Sequence, residues 1–383
     1  MLFELSKDTI EYIESHIDET MALLKEICLI PAPSHMEHKR AEFINNWLHS
    51  IGAKESYIDE ALNVVCPINC DGRDDITVFM AHTDTVFPDT EYPMPYTEDD
   101  EKIYSPGVVD DTIEVVIILM AVKYVIERGL KPHCGMLFVA NSCEEGLGNL
   151  KGVKKICKDY EGRIKEVYTF DDKYTSVIPK CVGSHRYKVK FFTEGGHSFN
   201  DFGNNNAICE MSNLIKRLYE KTVPEKEGTK TTYNVGTVSG GTSVNTICQE
   251  CEMMYEYRSD DKDCLEEMKK FFESQIDIAK KQGKAKIDVE IVGIRPCGGD
   301  VDKEKLDIMT QKCISICEKY SGLKCNINCG STDANIPQSM GIPAVCAGVF
   351  MGDGRHTRDE WLLKSSIPIG MKIGFELILE YFN

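Results

Sequence analysis

The sequence has 383 residues, 42% of them hydrophobic, and its 62 acidic against 44 basic side chains leave a formal charge of -18. That length carries two compact domains, and the apolar share excludes a disordered chain. The acidic balance excludes a nucleic-acid binder, which needs a basic face to displace phosphate counterions, and an anionic membrane surface as partner. The opening segment, MLFELSKDTIEYIESHIDET, spreads acids through its apolar positions, so no secretory signal is read and a cytoplasmic location is expected. Apolar residues recur at helical spacing over 7–28 and again over 40–51, where Gly52 supplies a stop, predicting two amphipathic helices. Short β-rich runs at 76–81, 135–141 and 166–170 alternate with helical patterns at 114–128 and 148–160. This order predicts an α/β fold with a three-layer, mainly parallel sheet. The longest apolar candidate for a membrane span, 108–125, is broken by Asp110, Asp111, Glu114 and Lys123. After Cys181 the texture changes: 187–193 alternates polar and apolar, 206–221 is helical, 231–238 and 247–257 read as strands, 263–281 is helical, and 287–294 closes the set. That is the β-α-β-β-α-β order of a ferredoxin-like α+β domain, its sheet covered on one face. A helix at 302–320, an apolar strand at 343–349 and a terminal helix at 367–381 return to the first domain. The expected division is therefore 1–182, an insertion at 183–294, and 295–383. The 17 cysteines lie mostly in apolar runs and are read as free thiols that pack as small hydrophobes.

The chemistry is concentrated where predicted strands end. In a parallel α/β sheet, sites form beyond the carboxyl ends of strands. Run 76–81 leads into His82 and Asp84, run 135–141 into Glu144 and Glu145, and run 166–170 into Asp171. Run 343–349 leads through a glycine-rich turn to His356, and Asp110 follows the turn Ser105-Pro106-Gly107. Imidazoles and carboxylates meeting at one rim make a mixed nitrogen and oxygen donor set of the kind that suits zinc, manganese or cobalt. Each element alone has a plainer reading: a capped loop for His82 and Asp84, a helix start for the glutamate pair, a polar surface cluster for His356 beside Arg355 and Arg358.

The segments VFMAHTDTV, YSPGVVDDT, NSCEEGLGN, YTFDD, EGGHSFNDFGNNNAI, GGTSVNTI, GSTDAN and GRHTRDEW, in that order, resemble the dizinc aminoacylase and peptidase T type hydrolases. Acetylornithine deacetylase and succinyl-diaminopimelate desuccinylase are relatives within that family, and the resemblance covers essentially the whole chain. It implies two zinc ions, with cobalt or manganese as alternatives. His82 and Asp171 would complete the shell of one, Glu145 and His356 that of the other, with Asp110 bridging. It implies that Asp84 orients His82 and that Glu144 is the general base. His197, Asn245, Arg258 and Thr332 would face the substrate, His197 reaching the oxyanion in a partner subunit; Asp333 and Glu360 fall in the same matching segments. The outer stretches would be the catalytic domain and the insertion a lid through which a homodimer forms.

The implied substrate is a small peptide, because peptidases of this type carry aspartate at the position of Asp171 and deacylases glutamate. An N-acyl amino acid deacylase is the alternative enzyme, and an inactive hydrolase fold that binds a ligand is the alternative of another class. Asp172 competes with Asp171 for the ligand position. Thr112, Ile113 and Glu114 depart from the family pattern, which places lysine and glycines after the aspartates; the departure removes a positive charge near the expected site.

Overall fold

The computed structural model describes residues 3–382. The chain divides into two compact units, Met1–Cys181 with Asp300–Asn383, and Val182–Gly299; the ends of the first, Met1, Leu2 and Asn383, lie outside the described residues. The first unit opens with α1 (Lys7–Ser15), α2 (Ile17–Cys28) and α3 (His38–Ser50). The predicted single helix over 7–28 is two helices. His16 leaves the helical region (φ -110, ψ 15), and its N–H turns back to the Ile13 carbonyl. Strands β1 (Tyr57–Ile58), β2 (Val64–Ile68) and β3 (Ile76–His82) follow, then β4 (Thr97–Glu98), β5 (Lys102–Tyr104) and α4 (Ile113–Arg128). β6 (Gly135–Asn141), α5 (Lys151–Asp159), β7 (Ile164–Phe170) and β8 (Ser176–Cys181) complete this half.

The second unit contains β9 (Gly183–Phe192), β10 (Gly196–His197), α6 (Ala207–Tyr219), β11 (Thr231–Gly240), β12 (Thr246–Ile247), β13 (Glu250–Ser259), α7 (Lys262–Gln282) and β14 (Lys286–Arg295). Its four-stranded antiparallel sheet has the order β11-β13-β9-β14. Alternate residues of β9 and β13 pack under α6 and α7 around Tyr187, Val189, Met253, Tyr255 and Phe272. The run expected as one strand over 247–257 is two. The Cys248 carbonyl accepts from the Ala207 N–H and the Thr193 hydroxyl, which takes it out of the ladder.

The chain then returns with α8 (Lys303–Ser321), β15 (Asn326–Gly330), α9 (Asn335–Ser339), β16 (Ala344–Ala347), β17 (Gly352–Asp353), β18 (Trp361–Leu363) and α10 (Ile367–Leu379). The large sheet has the order β1-β2-β6-β3-β7-β16-β8-β15. Its centre, β6-β3-β7-β16, is parallel. β3 and β6 are buried along their whole length, as strands covered on both faces must be. One face packs against the helices α1 to α4, α8 and α10, and the other against α5 and α9. The three-layer, mainly parallel α/β expectation holds. Among the described residues no disulfide joins any of the cysteines, and no helix is long and apolar enough to cross a membrane.

Candidate metal centre

The register of the central strands fixes where side chains emerge. His82 pairs with Asn141 at the ends of β3 and β6, while β7 runs alongside with Thr169 opposite Met80. The residues that follow, Asp84, Glu144, Glu145 and Asp171, therefore leave the sheet at one rim. Asp110 comes from the turn between β5 and α4. Gly107 starts that turn at φ +79, and a Cβ there would lie 2.5 Å from Thr85 Cγ2, so only glycine fits. The buried Glu360 carboxylate accepts the N–H groups of Gly107 and Val109, each at 2.8 Å, and ties the turn that carries Asp110 to the start of β18. His356 is delivered by the loop after β17 with a left-handed backbone, φ 63.

Asp110 lies between two imidazoles. Its Oδ1 is 3.1 Å from His82 Nε2, and its Oδ2 is 3.2 Å from His356 Nε2. His356 Nε2 is also 3.2 Å from Glu145 Oε1. Donor atoms of His82, Asp110 and Glu145 fall within 4.8 Å of one another, and so do those of His82, Glu144 and Asp171. His82 belongs to both groups, so they are two halves of one site. Asp84 is fully buried behind them: its carboxylate is 3.5 Å from His82 Nδ1 and accepts the N–H groups of Glu144 (2.9 Å) and Glu145 (3.0 Å). The strand end bearing His82 is thereby locked to the loop bearing both glutamates.

Buried acids outnumber the two imidazoles. Burial pushes Glu145 up to about 7, helped by the negative charge of Asp110. Burial likewise lifts Asp171 well above the carboxylate range, although Arg355 at 3.1 Å opposes it. Burial alone would lower His82, but the charges of Asp111, Asp110 and Asp84 raise it well above its ordinary value. Hydrogen bonds to Asp110 and Glu145 raise His356 from 6.5 to about 10. These shifts mark a crowded cluster of imidazole nitrogens and carboxylate oxygens that favours bound positive charge, and the donor set fits two divalent ions.

The sign of these shifts gives a stability expectation for metal-free protein. A raised folded-state pKa contributes stability that is complete below the unfolded value and is lost as pH climbs through the folded value. For Glu145 the loss runs from 4.5 to about 7, and for His356 from 6.5 to about 10. The melting temperature in chelator is therefore expected to fall across neutral to alkaline pH, and added zinc to offset the fall because it takes the place of the departing protons. A thermal-shift series in chelator with no decline between these limits would refute the cluster's electrostatics.

Other sequence-predicted residues sit as follows. Asp172 accepts the N–H of its neighbour Lys173 at 2.7 Å. Thr332 is buried, and its hydroxyl accepts the Ala334 N–H at 3.2 Å, a turn at the start of α9. Its neighbour Asp333 is buried and takes the Asn141 side-chain amide at 2.6 Å. In the second unit, Arg258 is already engaged: its guanidinium forks onto Glu256, at 3.0 Å through both Nε and Nη2. The exposed His197 accepts on Nδ1 from the N–H groups of Phe199 (3.2 Å) and Asn200 (3.4 Å), which leaves the ring proton on Nε2. Asn245 accepts from the Ser243 hydroxyl at 2.7 Å.

Residues to which the sequence assigned no site role stand beside the site. Asp111 accepts the His82 N–H at 2.8 Å, and burial with Glu114 beside it lifts its carboxyl well above the usual range. Glu114, pushed up to about 7 by burial, accepts the Asp172 N–H at 3.3 Å. Arg40, buried on α3, donates to the carbonyls of Ile30 (2.6 Å) and Thr83 (2.8 Å) and reaches the Thr112 hydroxyl at 3.4 Å. A positive charge thus stands at Thr112 after all, supplied from another helix.

The model of peptidase family M20/M25/M40 matches residues 78–380. An acetylornithine deacetylase of Buchnera aphidicola is 29% identical over 204 residues, 49% of this chain and 51% of that protein, so the chain spans about half the length of that relative. A tripeptidase from Staphylococcus aureus superposes with TM-score 0.72 at 21% identity, over 94% of this chain and 97% of its own. A dinuclear metal-binding peptidase of Bacillus subtilis superposes with TM-score 0.62 at 14% identity, over 96% and 99%.

Proposed function

Since the chain belongs to peptidase family M20/M25/M40, we propose that it is a dizinc peptidase that hydrolyses the amide bond of a di- or tripeptide. The observation that carries this reading is the position of Asp110, one carboxylate oxygen facing each imidazole at 3.1 and 3.2 Å. A carboxylate so placed can hold two cations at once. His82 and Asp171 would complete the shell of one, Glu145 and His356 that of the other. When bound, such ions supply Lewis acidity to the scissile carbonyl and acidity to water. Cobalt or manganese suits the same donors.

The chain's own residues do the rest. Glu144 takes the proton of the attacking water and hands it to the leaving nitrogen, so that the amine departs neutral. Asp84 keeps that base in place through the backbone N–H groups of Glu144 and Glu145, and its own backbone carbonyl, 3.0 Å from Nδ1, holds the His82 ring. Aspartate at 171, in place of a longer glutamate, supports a peptidase. The match to a deacetylase supports N-acyl amino acids as the alternative substrate class.

The test is a panel of dipeptides, tripeptides and N-acetyl amino acids, assayed on metal-stripped protein reloaded with zinc, cobalt or manganese. Metal-dependent cleavage of di- or tripeptides is expected. Cleavage of the N-acetyl compounds alone would move the assignment to a deacylase. No cleavage by protein holding two metal equivalents would favour a ligand-binding role.

A further inference from the structure

The loop that carries Glu144 and Glu145 leaves β6 along an irregular path, with Cys143 at φ 58, a left-handed backbone that a side chain disfavours. Side chains from elsewhere in the first unit hold it there. The Ser142 N–H donates to Asn63 Oδ1 at 3.0 Å, the Cys143 N–H to Glu37 Oε1 at 3.0 Å, and the N–H groups of Glu144 and Glu145 to Asp84 at 2.9 and 3.0 Å. Successive amides are thus each taken by a side-chain oxygen. Asp84 already belongs to the site. Glu37 does not, yet it is fully buried and spends one oxygen on this loop, accepting the Cys143 thiol at 3.2 Å and the His35 N–H at 3.0 Å as well. The same short segment reaches the other anchor, because the Ser34 hydroxyl donates to Asp84 Oδ2 at 2.6 Å.

We propose that Glu37 is a positioning residue of the hydrolytic reaction: it holds Cys143 in the left-handed conformation and so sets the direction in which the next residue, Glu144, leaves the chain, while Glu145 keeps its own anchor on Asp84. The inference rests on the reading of Glu144 as the base. The backbone torsions at and before adjacent side chains decide which way each one points. Asp84 fixes the two amides of the glutamate pair, but the direction from which the chain enters that pair is set at Cys143. Without the Glu37 anchor, Cys143 relaxes toward an ordinary backbone region and the base turns away from its water. Glu37 touches none of the expected ligands, so metal binding survives its loss.

Two conservative variants separate reach from charge. Glu37→Gln keeps an accepting oxygen at the same distance, whereas Glu37→Asp keeps the charge and withdraws it by one methylene. Glu37→Asp is expected to lower kcat by about 10- to 100-fold, with KM within about threefold and metal content unchanged. Glu37→Gln is expected to stay within about threefold of the parent in both constants. Hydrogen exchange at the amides of residues 143–145 should accelerate in Glu37→Asp and remain slow in Glu37→Gln. Impairment of Glu37→Gln as large as that of Glu37→Asp would show that reach is not the deciding property and overturn the proposal. So would an unimpaired Glu37→Asp, or a loss expressed in KM or in metal content. If Glu144 proves not to be the base, amide exchange still reports whether Glu37 holds Cys143, which keeps the two failures apart.

Discussion

Glu144→Gln is expected to retain two equivalents of divalent metal and to lose turnover by roughly 10²- to 10⁴-fold, the range that a positioned general base contributes. The substitution preserves shape, and the loop is held through backbone N–H groups that glutamine keeps. What disappears is a carboxylate able to accept a proton. The structure also poses a rival, because Glu144 has a donor atom within 4.8 Å of those of His82 and Asp171 and is able to serve as a metal ligand itself. The two roles separate in one preparation. A base that is lost leaves the metal in place and abolishes turnover, whereas a ligand that is lost lowers the metal content by elemental analysis. Full turnover with full metal would remove Glu144 from the mechanism altogether.

The central strands were legible because burial on both faces demands apolar runs, which β3 and β6 carry along their length and β7 carries from Val167 onward. Their ends were legible for the same reason, since His82, Asn141 and Asp171 are where those runs stop. Elements at the margins were not. β1 has only two residues, β8 contains Pro179, and β15 is exposed along most of its length, so none carries a strong apolar signal. The break at His16 was hidden because the apolar spacing stays in phase through it, and periodicity does not register a single residue leaving the helical region.

The site divides along a similar line. Residues beside a strand end announce themselves, but those that act through long-range hydrogen bonds do not. Glu37 meets Cys143 across 106 positions, and Glu360 meets Gly107 across 253. Arg40 reaches Thr112 across 72, which explains why a missing charge at Thr112 read as a gap. Arg258 is the opposite case. Residues two apart on a strand share a face, so Glu256 stood in plain view as its partner before any substrate carboxylate.

His197→Ala is expected to reduce kcat by about 10²- to 10³-fold, the effect of removing one oxyanion donor, if the ring proton on Nε2 meets developing charge. The ring is built for donation: two backbone N–H groups occupy Nδ1, so the proton is fixed on the nitrogen that faces away from its own turn. Near it in sequence, Phe199 and Phe202 are 84% and 90% exposed, and β11 is an edge strand bonded to β13 alone among the described strands. A homodimer in which His197 crossed between subunits would make a demanding prediction. Inactive Glu144→Gln and inactive His197→Ala proteins, dissociated and reassociated together, should regain turnover, because a mixed pair contains one site with both groups intact. If each subunit instead used its own His197, no mixture would recover, since every site would lack one group or the other. Sedimentation of the mixture identifies the species responsible, and a fully active monomer would dispose of the shared site.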